Sequence, residues 1–126
     1  MRNILIIFML FGLSTYSQSE KYSGNYENKT KSEDGIVIDY ELALNLDGTF
    51  VFHFYQDQIC YTDDNKAKGK WTTENGIIIF QVNKEIDIDE TYKLDFDKTK
   101  AKVKNGILEF YDCGVLWINK VKLKKK

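Results

Sequence analysis

The 126-residue chain has no proline, one histidine (His53), one arginine (Arg2) and two cysteines (Cys60 and Cys113). Without proline, its turns must be built from Gly, Asn and Asp, which tolerate the required backbone angles. A lone histidine leaves little for a metal site. Asp57, His53 and Cys60 are close in sequence, but their spacing matches no zinc pattern. No Asp-x-Asp-x-Asp-Gly loop accompanies Asp57, Asp63 and Asp64, so calcium is not indicated. With Arg2 alone, the chain lacks the guanidinium groups that read guanine and phosphate in bidentate fashion. A formal net charge of −1 also implies no basic groove, so a nucleic-acid reader is excluded. Long hydrophobic runs are missing too. The longest, Ile4–Leu13, spans 10 residues, whereas a membrane helix needs ~20.

That run has another use. Met1-Arg2-Asn3 carries one positive charge before it, and Thr15-Tyr16-Ser17 follows with small residues at the −3 and −1 positions. This is the layout of an export signal cleaved before Gln18. The competing assignment is a buried first strand. The expectation is therefore a signal peptide over 1–17, one domain over 18–126, and a periplasmic or extracellular location. No cysteine follows the apolar run to carry a lipid anchor. Disulfides persist outside the cytoplasm, and two cysteines allow one intramolecular pairing, so Cys60–Cys113 is the expected bridge. Two free thiols are the alternative.

What is present is alternation. In Tyr40–Tyr55, Tyr40, Leu42, Leu44 and Leu46 alternate with Glu41, Ala43 and Asn45. After Asp47-Gly48, Phe50, Phe52 and Phe54 alternate with Val51, His53 and Tyr55. Period-2 patterning on both sides of Asp-Gly predicts a hairpin with a type I′ turn. Further strands are expected over 22–31, 69–73, 77–83, 91–97, 107–111 and 115–123, with a polar loop over 57–68. Glu74-Asn75-Gly76-Ile77 and Lys104-Asn105-Gly106-Ile107 repeat one hairpin design. No helical period holds over two turns after residue 17. About eight short strands joined by tight turns predict an all-β fold, a single antiparallel up-and-down barrel.

Leu42-x-Leu44-x-x-Asp47-Gly48-Thr49-Phe50, then Gly69-Lys70-Trp71, then Asn75-Gly76-Ile77-x-Ile79 resembles a phrase of lipocalin-like domains of exported Bacteroidetes-type proteins. It is distantly similar to the barrel domain of an envelope-stress and copper-resistance lipoprotein family. The resemblance covers residues 42–79 and implies a lipocalin-like barrel. The chain lacks that lipoprotein family's anchor cysteine and Cys-x-x-Cys pair, so no copper role is carried over.

Phe50, Phe52, Phe54, Tyr92, Phe96 and Trp117 are expected to face inward. An eight-stranded barrel is wide enough either to be filled by side chains or to hold one small ligand. These six are accordingly the candidate lining of a cavity for a small apolar ligand, with a filled core as the alternative. No catalytic constellation is evident: nothing in local spacing sets a Ser, Cys or carboxylate beside His53. The acids Glu85, Asp87 and Asp89 read as an outer strand face. No motif implies a cofactor. The function expected is non-enzymatic binding by a monomer. The competing function is a protein-binding module, such as a lysozyme or protease inhibitor, acting through loops that expose Tyr22, Tyr26, Tyr55 or Tyr61.

Overall fold

A computed structural model describes residues 20–126. The expected signal peptide over 1–17 and its expected cleavage before Gln18 lie outside the described residues. Eight strands follow: β1 (Gly24–Lys31), β2 (Val37–Leu44), β3 (Thr49–Gln58), β4 (Tyr61–Glu74), β5 (Ile77–Gln81), β6 (Lys100–Lys104), β7 (Ile107–Tyr111) and β8 (Lys122–Lys125). Each pairs antiparallel with the next, and β8 closes on β1, giving a closed up-and-down barrel. Closure removes the exposed edges that an open sheet leaves.

The Asn-Gly turns behave as their residues dictate. Asn75-Gly76 and Asn105-Gly106 both take positive φ at each position (54° and 78°; 55° and 77°), the requirement of a type I′ hairpin. The Asp47-Gly48 turn differs from expectation. Only Gly48 is left-handed there, at φ 88°. Asn45 to Gly48 form a wider turn, closed by Gly48 N–H donating to Asn45 O at 3.0 Å. Asp47 Oδ1 accepts from the Thr49 N–H and hydroxyl, which holds its carboxyl below the usual range. Leu46 therefore leaves the strand and is exposed. Trp71 pins the turn, its indole N–H donating to Asn45 O at 2.9 Å.

Three other segments depart from the sequence reading. Residues 57–68, expected as a loop, continue β3 and open β4. Ten register pairs join Thr49–Gln58 to Tyr61–Lys70 across a turn at Ile59 and Cys60. The segment reads as polar because it runs past the apolar core, yet its backbone is held by the ladder. Residues 91–97, expected as a strand, lie outside the sheet. Acidic side chains there capture backbone N–H groups: Asp89 accepts from Thr91 and Tyr92, Asp95 from Asp97, and Asp97 from Val82. Such local bonds compete with a strand ladder, and the hairpin strand is displaced to Lys100–Lys104. The expected strand over 115–123 is instead a 3-10 turn, Leu116–Ile118, followed by β8. Asn119 sets this path: its amide oxygen accepts from Cys113 N–H at 2.8 Å and its amide nitrogen donates to Cys113 O at 3.1 Å.

The cysteines are a further correction: both are free. Cys60 is exposed at the β3–β4 turn. Cys113 is buried after β7 and accepts a hydrogen bond from the Thr99 hydroxyl at 3.1 Å. Cys60 is on an exposed hairpin turn and Cys113 is turned into the core from the 112–121 connection, so the two thiols do not meet.

The core is aromatic. Phe50, Phe52, Phe80, Phe96 and Phe110 are fully buried and contact one another at ring-centroid separations of 4.7–5.9 Å. Leu42, Leu44, Ile78, Leu108, Ile118 and Leu123 complete it. Phe96 comes from the 82–99 connection, not from a strand. Its loop is held by Lys98 N–H to Phe80 O, Phe80 N–H to Thr99 O, and Leu94 N–H to Lys66 O. Gly69 lets β4 pass β5 closely, since a side chain there would run into the Gln81 carbonyl.

Candidate functional site

Alternating strand directions place the connections over 32–36, 59–60, 82–99 and 112–121 at one end of the barrel. The short turns lie at the other. On the long-loop end, β1–β4 outrun their neighbours. β1 pairs with β8 only through Tyr26 and Glu27, and β4 pairs with β5 only from Lys70 onward. The inner face of β1–β4 can be followed in register rows. Tyr26, Leu42, Phe52 and Ala67 form one row, and all four are buried. The next row outward is Asn28, Tyr40, Phe54 and Asn65, and the one beyond it Thr30, Ile38, Gln56 and Asp63. The inner face thus changes from apolar to mixed aromatic and amide as it leaves the core.

Trp117, on the 3-10 turn, packs on Phe54 at 4.6 Å between centroids. Tyr40 lies 5.1 Å from Phe54 on its other neighbour strand, and burial raises the Tyr40 phenol pKa. Trp117 nevertheless stays 45% exposed. Tyr61 is 51% exposed and its hydroxyl donates to Gln56 Oε1 at 3.2 Å. Asn65 Nδ2 donates to Asp63 Oδ1 at 2.6 Å. Leu116 is 80% exposed and Ile59, at the hairpin tip, 85%. The result is a mouth with an aromatic floor, an amide wall and an apolar rim.

The six residues expected to line one cavity are divided by this geometry. Phe50, Phe52 and Phe96 are packed ring on ring in the core with Phe80 and Phe110. Phe54 and Trp117 meet at the mouth. Tyr92 belongs to neither group: it is half-buried on the 82–99 connection, with the Lys68 ammonium 4.7 Å from its ring centroid. The four tyrosines of the loop-binding alternative divide as well. Tyr61 is exposed and Tyr55 half-buried, while Tyr22 and Tyr26 are buried, Tyr26 O–H donating to Tyr22 O at 2.7 Å.

The strand reading of 57–68 also exposes a pair that local spacing hides. His53 Nε2 lies 2.6 Å from Asp64 Oδ1 on the outer face, diagonally across the β3–β4 ladder. In register His53 faces Glu41 and Lys66, and along its own strand Val51 and Tyr55 share its face. None of these four is a Ser, Thr or Cys, so the pair orients an imidazole without adjoining a nucleophile. Asp63 and Asn65 were likewise hidden. The signal that finds them is the period 2 running back from Trp71 through Gly69 and Ala67 to Asn65, Asp63 and Tyr61. Among the described residues, no three His, Cys, Asp or Glu side chains are grouped to hold a metal, and no helix is long and apolar enough to cross a membrane.

Fold and site together define an eight-stranded antiparallel up-and-down barrel whose interior is packed with phenylalanine. No protein-family profile matches the chain, and no curated protein or solved structure matches it.

Proposed function

We propose that this chain is an exported, non-enzymatic protein-binding module that engages its partner through the mouth and hairpin tip at the long-loop end. One observation carries the reading: of the eight exposed large apolar side chains among the described residues, Ile59, Tyr61, Leu116 and Trp117 belong to connections or strand ends around the mouth, while the interior rings pack on one another. A carrier keeps its apolar surface in an enclosed cavity. A binding module presents aromatic anchors on a rim, where a partner can desolvate them. The two-residue tip at Ile59 and Cys60 is convex, so a concave partner such as a hydrolase cleft is its natural complement. The leader over 4–13 and the lipocalin-like phrase over 42–79 support export.

Two panels test the proposal. Lysozymes and secreted proteases are assayed for inhibition and for a change in tryptophan fluorescence. Fatty acids, retinoids and small aromatics are assayed by thermal shift. The expected result is a saturable effect on a hydrolase that Ile59→Asp abolishes at unchanged Tm and Trp117→Ala abolishes with the fold retained, with no thermal shift from the apolar panel. A small molecule that stabilises the protein by ~2.7 kcal/mol at 100 times its Kd, with no hydrolase affected, would overturn the reading in favour of the carrier.

A further inference from the structure

The net charge of −1 conceals a separation. Residues 98–126 contain nine lysines against Glu109 and Asp112, so this segment carries +7 and the rest of the chain −8. The fold concentrates part of that excess on one surface. In β6, Ala101 points into the core and Lys100, Lys102 and Lys104 point out. In β8, Leu123 points in and Lys122 and Lys124 point out. Between them, β7 turns Ile107, Glu109 and Tyr111 outward. The register sets Lys104, Ile107 and Lys124 in one row, Lys102, Glu109 and Lys122 in the next, and Lys100 opposite Tyr111 in the third.

The acids on this face neutralise only part of it. Glu109 pairs with Lys122 at 3.7 Å and Asp112 with Lys100 at 3.9 Å. Glu27, at the margin, is shared by Lys126 at 3.2 Å and Lys29 at 3.6 Å. Lys102 lies over the Tyr111 ring, 4.9 Å from its centroid. Lys104 and Lys124 make no ion pair among the described residues. Ile107 is exposed between those two. A shallow depression opens on each side of it. One, of about 360 Å3, is walled by Lys102, Lys104 and Lys122 with Glu109, and the other, of about 400 Å3, by Lys29, Lys122 and Lys124 with Glu27.

We infer that the outer face of β6–β8 docks on an anionic lipid bilayer. Its lysines spread over a face three strands wide, which matches a plane of headgroups better than a linear polymer. They are point charges without the fixed fork of arginine, suited to mobile phosphates. Ile107 stands in the row beside the Asn105-Gly106 turn, between Lys104 and Lys124, where an apolar side chain enters the interface, and Tyr111 supplies an amphipathic ring at the opposite margin. The rest of the chain carries −8, so the charge separation orients the docking. This inference is independent of the mouth at the barrel end.

The test is co-sedimentation of the full chain with vesicles of phosphatidylcholine alone or mixed with phosphatidylglycerol. Binding is expected only with phosphatidylglycerol, and it should vanish at about 1 M salt, where the Debye length is about 3 Å. The triple variant Lys102→Glu, Lys104→Glu, Lys124→Glu should lose affinity on the order of a hundredfold. Lys66→Glu, Lys70→Glu, Lys93→Glu makes the same change in net charge elsewhere and should retain binding. Ile107→Ser should weaken binding severalfold. All of these positions are on the surface, and an unchanged Tm confirms folding. Equal loss in the two triple variants would overturn the inference, as would capture by heparin or polyphosphate without capture by vesicles, or no vesicle binding at all.

Discussion

The two halves of the barrel are built by different means. Strands β1–β4 run 8, 8, 10 and 14 residues, and β5–β8 run 5, 5, 5 and 4. Ten register pairs join β3 to β4, but three join β5 to β6, three join β7 to β8, and two close β8 on β1. The first half is a continuous backbone ladder. The second is held by shorter ladders, extended by backbone bonds of Phe80 with Lys98 and Thr99 and of Phe110 with Lys120 and Val121, and by inserted side chains: Phe96 from the 82–99 connection, Phe110 from β7, Ile118 from the 3-10 turn and Leu123 from β8. The proposed mouth takes Ile59 and Tyr61 from the first half and Leu116 and Trp117 from the second, whereas the proposed lipid face is confined to the second. Regions with few backbone rungs open most readily, so the second half should open before the first.

If side chains close the second half, truncating one should cost as much as truncating a residue of the ladder. Phe96→Ala is expected to destabilise by ~3–5 kcal/mol, as Phe52→Ala does, because both rings are fully buried in the same cluster. Urea unfolding decides this. A Phe96→Ala cost below about 1 kcal/mol would mean that the 82–99 connection merely covers the barrel and does not seal it.

A smaller effect sharpens the seam between β1 and β8. Tyr26, buried where β8 meets β1, has its phenol pushed by burial from 10.0 to about 12, with a lesser contribution from Tyr22. A group whose pKa is raised in the fold contributes stability that is present below the unfolded value and lost as pH climbs through the folded one. The seam should therefore weaken between pH 10 and about 12. Tyr26→Phe cannot ionise there. It should cost about 1 kcal/mol at neutral pH by removing the bond to Tyr22 O, and then lose less stability than wild type as pH rises. Parallel losses in the two proteins would show that Tyr26 is not protected.

The ladder half was readable in sequence where apolar alternation reports burial, as in Tyr40–Leu44 and Phe50–Phe54. It became unreadable where the same strands leave the core. Asp63 and Asn65 continue the face of Trp71 and Ala67, but their polarity looks like loop. In the second half the pattern misled in the opposite sense. Tyr92, Leu94 and Phe96 alternate as a strand would, yet Asp89, Asp95 and Asp97 bind the local backbone and hold the segment off the sheet. Trp117 was recognised as important through its size, but its place at the mouth depends on the Asn119 bridge to Cys113. No periodicity encodes that bridge. Whether an aromatic stripe encloses space or fills it rests on the contacts of Phe80, Phe96 and Phe110, which lie on three separate segments.

Native-state hydrogen exchange tests the contrast between the halves most directly. The slowest amides should belong to β3 and β4, exchanging only on global unfolding. Those of β6, β8 and the 112–121 connection should exchange at least about tenfold faster through local opening. Equal protection across the barrel, or slower exchange in β6 and β8 than in β3 and β4, would contradict the division of the fold into a laddered scaffold and a side-chain-sealed half.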